Sequence, residues 1–124
     1  MEVTINKTKS LSLASCEFQV LMSLDQIPIA TAGIYNHVGL LDKVPRLKTH
    51  KNWLALVYTI PEFRGKGLGA MLCDYVQDHA KSLGLEQLYL FTDTAESLYR
   101  RLGWQELERI QLPGRKIVVM NKCL

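Results

Sequence analysis

Arg64-Gly65-Lys66-Gly67-Leu68-Gly69-Ala70 is the stretch of this chain best suited to chemistry. Three alternating glycines and two cations follow an apolar run and open an amphipathic one. The first amides of a helix have no intrahelical acceptor and point outward. The helix dipole favours negative charge at that end, so the stretch reads as a seat for a diphosphate. Glycine lets the backbone approach a ligand closely and take turns that other residues resist.

The elements around it can be read from periodicity. Trp53 to Ile60 is apolar almost throughout, as a central strand covered on both faces would be. Leu68, Leu72, Val76, Ala80 and Leu83 recur at helical spacing, with Tyr75 and His79 beside them, and Gly84 ends that helix. Upstream, Cys16 to Leu24 alternates through Phe18, Val20 and Met22, stops at Asp25-Gln26, and pairs with Pro28 to Tyr35 as a hairpin. Asn36 to Lys51 is a long polar connection, a length usually functional or mobile. Downstream come a strand over Glu86 to Thr92 and a short helix over Ala95 to Leu102, with Leu98, Tyr99 and Leu102 on one face. Two strands, Gln105 to Leu112 and Arg115 to Asn121, then turn at Pro113-Gly114. The predicted order is β-β-β-α-β-α-β-β: an α/β (α+β) sandwich with a mixed, largely antiparallel central sheet and helices on its faces.

Bulk properties narrow the classes. The 124 residues make a single domain, 1–124, with 48% hydrophobic and 22% charged residues, enough to bury a core without metal or disulfide staples. The net charge of +3 is mild and scattered, which fits a small anionic ligand and no nucleic-acid partner. Cys16, Cys73 and Cys123 show no metal or disulfide spacing, and no apolar run is long enough for a leader or membrane span. The expectation is a cytoplasmic protein without a metal site.

Two glycine-loop readings compete and fall short. Gly65-Lys66-Gly67-Leu68-Gly69-Ala70 satisfies a loose GxGxxA pattern, but Pro61 to Arg64 separate it from the strand and the chain closes in a hairpin. A P-loop would need Gly where Ile60 stands and Ser or Thr where Gly67 stands.

Strand-Pro61-Glu62-Phe63-Arg64-Gly65-Lys66-Gly67-Leu68-Gly69 resembles the signature of the GNAT superfamily of acetyl-CoA-dependent N-acetyltransferases, Arg/Gln-x-x-Gly-x-Gly/Ala after a strand. Arg64, Gly67 and Gly69 fill its defined positions. Leu88-Tyr89-Leu90-Phe91-Thr92 followed by Ser97-Leu98-Tyr99-Arg100-Arg101-Leu102-Gly103-Trp104 is similar to that family's later strand and its LY-x-x-x-G-F/W segment. The resemblance is sharp from Trp53 to Trp104.

The resemblance implies acetyl-CoA as co-substrate, with its pyrophosphate on the amides of Gly65, Lys66, Gly67, Leu68, Gly69 and Ala70 beside Arg64. Its pantetheine arm would pair with the backbone of Val57, Tyr58 and Thr59 like an added strand. Tyr99 takes the position of the general acid that protonates the departing thiolate, and an ordinary phenol, with a pKa of about 10, is protonated at neutral pH. The acceptor would be a small-molecule or peptide amine. Thr92 stands seven residues before Tyr99, where many members have Asn. No acid stands on the strand before the signature, which leaves His50 and His37 as candidate bases, with Glu62 and Glu96 as solvated carboxylates. Family members usually carry a strand and two helices ahead of the hairpin. Here only Met1 to Cys16 precede it; Val3-Thr4-Ile5 has room for a strand, but two helices do not fit. The acceptor side is then open, closed by a second subunit such as a homodimer partner, or covered by Asn36 to Lys51. A non-catalytic acyl-CoA-binding or regulatory module is the alternative to an enzyme.

Overall fold

The computed structural model describes residues 3–10 and 17–124. Seven strands form one sheet: β1 (Val3–Ser10), β2 (Phe18–Leu24), β3 (Ile27–Tyr35), β4 (Trp53–Thr59), β5 (Gln87–Thr92), β6 (Gln105–Leu112) and β7 (Arg115–Cys123), in the spatial order β1-β2-β3-β4-β5-β7-β6. Every neighbouring pair is antiparallel except β4 and β5. Three α-helices, α1 (Leu40–Lys43), α2 (Leu68–Ser82) and α3 (Glu96–Arg101), complete the described elements with 3₁₀ turns at Pro45–Thr49 and Pro61–Phe63.

The mixed, mostly antiparallel sheet with helices is the expected class. The difference lies at the start, where β1 is a full edge strand paired to β2 over Val3↔Leu24 to Ser10↔Phe18. The expected strand onset at Cys16 lies outside the described residues.

Alternation fixes the hairpin register. Phe18, Val20, Met22 and Leu24 are buried, and the residues between them are half-exposed. Asp25 and Gln26 both adopt positive φ, 49° and 71°, the backbone that a two-residue hairpin loop demands. On α2, Leu72, Val76 and Ala80 recur every fourth residue and are buried against the same face of the sheet as Phe18 and Leu88. Gly84, at φ 88°, closes the helix: its N–H donates to the Lys81 carbonyl at 3.0 Å, and the Leu85 N–H to the Ala80 carbonyl at 3.2 Å.

The long segment after β3 is not a bare loop. Leu40, Leu41 and Leu47 are buried on the opposite face of the sheet, packed with Trp53, Ile117 and Val119. Arg46 ties the segment to β6 through Glu108 at 2.7 Å. The segment thus lies over this face of the sheet.

One irregularity shapes the site. β3 and β4 pair in register at Gly33↔Ala55 and again at Thr31↔Tyr58, so Leu56 and Val57 stand opposite Ala32 alone. Such a bulge bends its strand and sharpens the local twist. On its other side β4 meets β5 at a single pair, Trp53↔Tyr89, supported by the Tyr89 N–H donating to the Asn52 carbonyl at 3.1 Å. Rings close this end: Trp53 lies 5.7 Å from Tyr89 and 6.3 Å from Phe91 between centroids. Beyond Trp53 the two strands diverge, leaving a sheet edge in the middle of the sheet.

Candidate active site

The glycine loop lies at the open end of this gap. Gly65 and Gly67 have φ of 77° and 78°, and a Cβ added at either would touch nothing within 4 Å. Glycine is needed there for its left-handed backbone, not for space. Gly67 is the N-cap of α2, no side chain caps that end, and no acidic residue stands in the first turn. The first intrahelical bond runs from the Met71 N–H to the Gly67 carbonyl at 3.1 Å, so the amides of Leu68, Gly69 and Ala70 precede the ladder. The Arg64 Nε donates to the Thr59 carbonyl at 2.8 Å, and its guanidinium lies 5.3 Å from the centre of the Tyr58 ring. Arg64 therefore fixes the loop to the end of β4. Lys66 extends over Phe63 at 5.4 Å.

Two cavities flank the gap. The first, about 950 Å³, is lined by Val57, Tyr58, Thr59, Arg64, Gly65, Gly67, Gly69 and Ala70 on one side and by Thr94, Ala95, Leu98, Tyr99, Arg101 and Leu102 on the other, with Phe63 at the loop. Among the described residues no carboxylate lines it, whereas two guanidiniums and a helix N-terminus do, a field that favours an anion. The second, about 580 Å³, has apolar walls from Val38, Leu54, Leu90 and Phe91 and polar groups from Tyr35, His37, Thr92, Asp93 and Arg115. Val57, Thr94, Ala95 and Tyr99 line both, so the cavities meet at the gap.

Tyr99 stands at that junction on α3. It is 8% exposed, and Trp104 lies against it edge-on with centroids 6.1 Å apart. Burial, with a smaller contribution from the Cys73 thiol, pushes its phenol up to about 12. A raised folded pKa means that the fold binds the proton more tightly than the unfolded chain. Its contribution to stability is complete below the ordinary value of 10 and is lost as pH climbs through about 12. Burial, seconded by Asp74, likewise pushes the Cys73 thiol up to about 11.

Thr92 positions the helix that carries Tyr99. Its Oγ1 accepts from the Ala95 N–H at 2.9 Å and the Thr94 N–H at 3.3 Å, holding the turn that leads into α3. Thr92→Val should cost about 1 kcal/mol, the usual net worth of a lost hydrogen bond in the turn that leads into α3, with kcat falling through misplacement of Tyr99. Urea unfolding and steady-state kinetics check the two effects.

The candidate site residues gather around the gap with three differences. Lys66 and Leu68 line neither cavity, and Leu68 packs on the core instead. His50 also lines neither cavity: it stacks on Tyr89 at 4.3 Å, at the closed end of the gap, which removes it as a base. Of the carboxylates, Glu62 is exposed and Glu96 pairs with Arg100 at 2.7 Å and Arg109 at 2.6 Å.

The structure adds Arg101 to the first cavity. Leu98, Arg101 and Leu102 fall on one helical face, so the period that exposes Leu98 to the cleft also predicts Arg101. The structure also adds the Asp93–Arg115 pair, at 3.2 Å, to the second cavity; twenty-two residues apart, the two carry no local signal. Among the described residues, no group of three or more His, Cys, Asp or Glu is placed to hold a metal, and no helix is long and apolar enough to cross a membrane.

The model of the acetyltransferase (GNAT) family matches residues 6–104. An amino-acid acetyltransferase from Photorhabdus laumondii is 28% identical over 102 residues, which cover 82% of this chain and 21% of that protein. The chain thus spans about a fifth of the length of such relatives. A GNAT family acetyltransferase from Elizabethkingia anophelis, solved with acetyl-CoA bound, superposes with a TM-score of 0.71 at 14% identity, covering 98% of each chain. An IAA acetyltransferase from Bacillus cereus superposes with a TM-score of 0.70 at 14% identity, over 99% of this chain and 100% of that one. With a family match over residues 6–104 and this fold around the glycine loop, the chain belongs to the GNAT family of acetyltransferases.

Proposed function

We propose that this chain is an N-acetyltransferase that moves the acetyl group of acetyl-CoA to a primary amine by direct attack. The observation that carries the reading is the gap between β4 and β5, where an anion-seeking cleft and a second cavity meet at Tyr99. The diphosphate would sit on the amides of Gly65 to Ala70, with Arg101 further along the cleft. The pantetheine arm would follow the free edge of Val57, Tyr58 and Thr59, and the amine would enter from the second cavity. Holding both reactants across one opening supplies proximity, and strand amides facing the thioester oxygen would stabilise its developing charge. Tyr99, kept protonated by burial, would donate to the departing sulfur.

The second cavity favours catalysis over passive acyl-CoA binding, because a sensor needs no space beyond the donor. The free thiols Cys73 and Cys123 fit the reducing cytoplasm. The names of the relatives make free amino acids the first acceptors to try.

Two measurements test the reading. Acetyl-CoA at about 100 times its Kd should stabilise the fold by about 2.7 kcal/mol in a thermal shift. A panel of amines, free amino acids included, should then release CoA thiol in an amine-dependent manner. Stabilisation without release from any amine would leave a binding module; no stabilisation would remove both readings.

A further inference from the structure

An acceptor amine reaches the enzyme as an ammonium ion, which has no lone pair with which to attack. A group on the acceptor side must first take its proton, and the second cavity offers few. Asp93 is matched by Arg115, so accepting a proton would break that pair. The Tyr35 hydroxyl donates to Gln19 and, like Tyr99, is held protonated by burial.

His37 differs from all of these. Its Nε2 faces Asp42 Oδ2 at 3.3 Å, and its Nδ1 has no partner among the described residues. With the Nε2 proton donated to Asp42, the lone pair lies on Nδ1. Asp42 belongs to α1, which Leu40 and Leu41 anchor to the sheet, so the backbone that carries this carboxylate is held beside the ring. The ring is 58% exposed yet lines the cavity, so it can exchange protons with water between turnovers.

We propose that His37 is the general base of the acetyl transfer, oriented by Asp42; this rests on the N-acetyltransferase reading above. His37 Nδ1 takes one proton from the acceptor ammonium, and Asp42 stabilises the imidazolium. The freed lone pair forms the nitrogen–carbon bond at the thioester carbonyl, and the carbon–sulfur bond breaks with its electron pair going to sulfur. Tyr99 gives its proton to that sulfur and regains one from the substituted nitrogen. The imidazolium then releases its proton to solvent, so each turnover yields amide, free thiol and one proton. The charged and titratable groups around His37 are Asp42 on α1, Tyr35 on β3, Asp93 and Arg115 across the cavity, and Glu17, whose carboxylate accepts from the Asn36 N–H at 2.8 Å.

The test compares the wild-type chain with His37→Gln and Asp42→Asn on two acceptors: an equimolar mixture of the twenty L-amino acids, and hydroxylamine, which is already a free base at neutral pH. Thiol release is followed as kcat/KM from pH 6 to pH 10. At pH 7, His37→Gln should lose about 10²-fold on the amino acids, stay within about twofold on hydroxylamine, and recover as rising pH frees the amines. Asp42→Asn should move in the same direction by about tenfold, the smaller effect of an orienting group. Three results overturn the base: His37→Gln close to wild type on amino acids at pH 7, an equal loss on both acceptors at every pH, or wild-type transfer to hydroxylamine alone. Thermal stabilisation by acetyl-CoA with transfer to neither acceptor overturns the enzymatic reading, and the base with it.

Discussion

Tyr99→Phe should lower kcat by about 10²–10⁴-fold, the range for loss of a positioned acid, and should leave acetyl-CoA affinity within about twofold. The structure explains why these effects separate. The phenol oxygen has no hydrogen-bond partner among the described residues, and the ring meets Trp104 through its edge. Removing the hydroxyl therefore orphans no buried group and leaves the packing intact, so stability should move by well under about 1 kcal/mol. In the proposed site the cofactor's charge would be met elsewhere, at the glycine loop and Arg101. The pH profile gives a second readout. Because burial pushes the phenol up to about 12, wild-type activity should show no alkaline fall due to Tyr99 until pH approaches that value. Single-turnover and steady-state kinetics, with isothermal titration of acetyl-CoA, distinguish this from a packing role, in which stability and binding would fall together.

Gly67→Asp should abolish most cofactor binding while the protein stays folded. Position 67 sits at φ 78°, where an L-residue costs about 1–2 kcal/mol, and Asp is among the few that tolerate it. An Asp at this end also brings a charge that suits the helix dipole, which offsets part of that cost. The same charge would face the diphosphate. At 4 Å two unit charges repel by about 1 kcal/mol in bulk water and about 4 kcal/mol near a protein surface. An affinity loss of about 10²-fold lies within those bounds. Gly67→Ala is the control: the backbone cost without the charge, hence a lower midpoint in urea and a much smaller loss of affinity. If Asp and Ala weakened acetyl-CoA equally, the loop would act through its shape alone.

What could be read in the chain follows from which signals are local. The glycine loop, the hairpin turn at Asp25-Gln26 and the face of α2 are written in neighbouring residues, and the structure carries each of them. The opening between β4 and β5 is not local. It arises from a bulge at Leu56–Val57 against Ala32 and from rings that close only the Trp53 end. Neither follows from an apolar run that reads as an evenly paired strand. Val57 and Tyr58 are 37% and 51% exposed within that run, the mark of a partner strand that has moved away.

The segment from 36 to 51 misleads for a different reason. Its charged residues dominate composition, while Leu40, Leu41 and Leu47, too few for a long periodic helix, hold it on the sheet as two short turns. That packing makes the wall from which His37 reaches the second cavity. The Asp93–Arg115 pair is likewise assembled by the sheet order, which sets β7 beside β5.

The central claim is that the free edge of β4, the glycine loop and Tyr99 form one acetyl-CoA site. Titrating the isotope-labelled chain with acetyl-CoA and following backbone amide resonances tests it most directly. The account predicts saturable shifts that share one Kd at Val57, Tyr58 and Thr59, at Gly65 through Ala70, and at Tyr99, with Ile27 and Leu107 unmoved. Shifts confined to the glycine loop, with the β4 edge and Tyr99 silent, would contradict it.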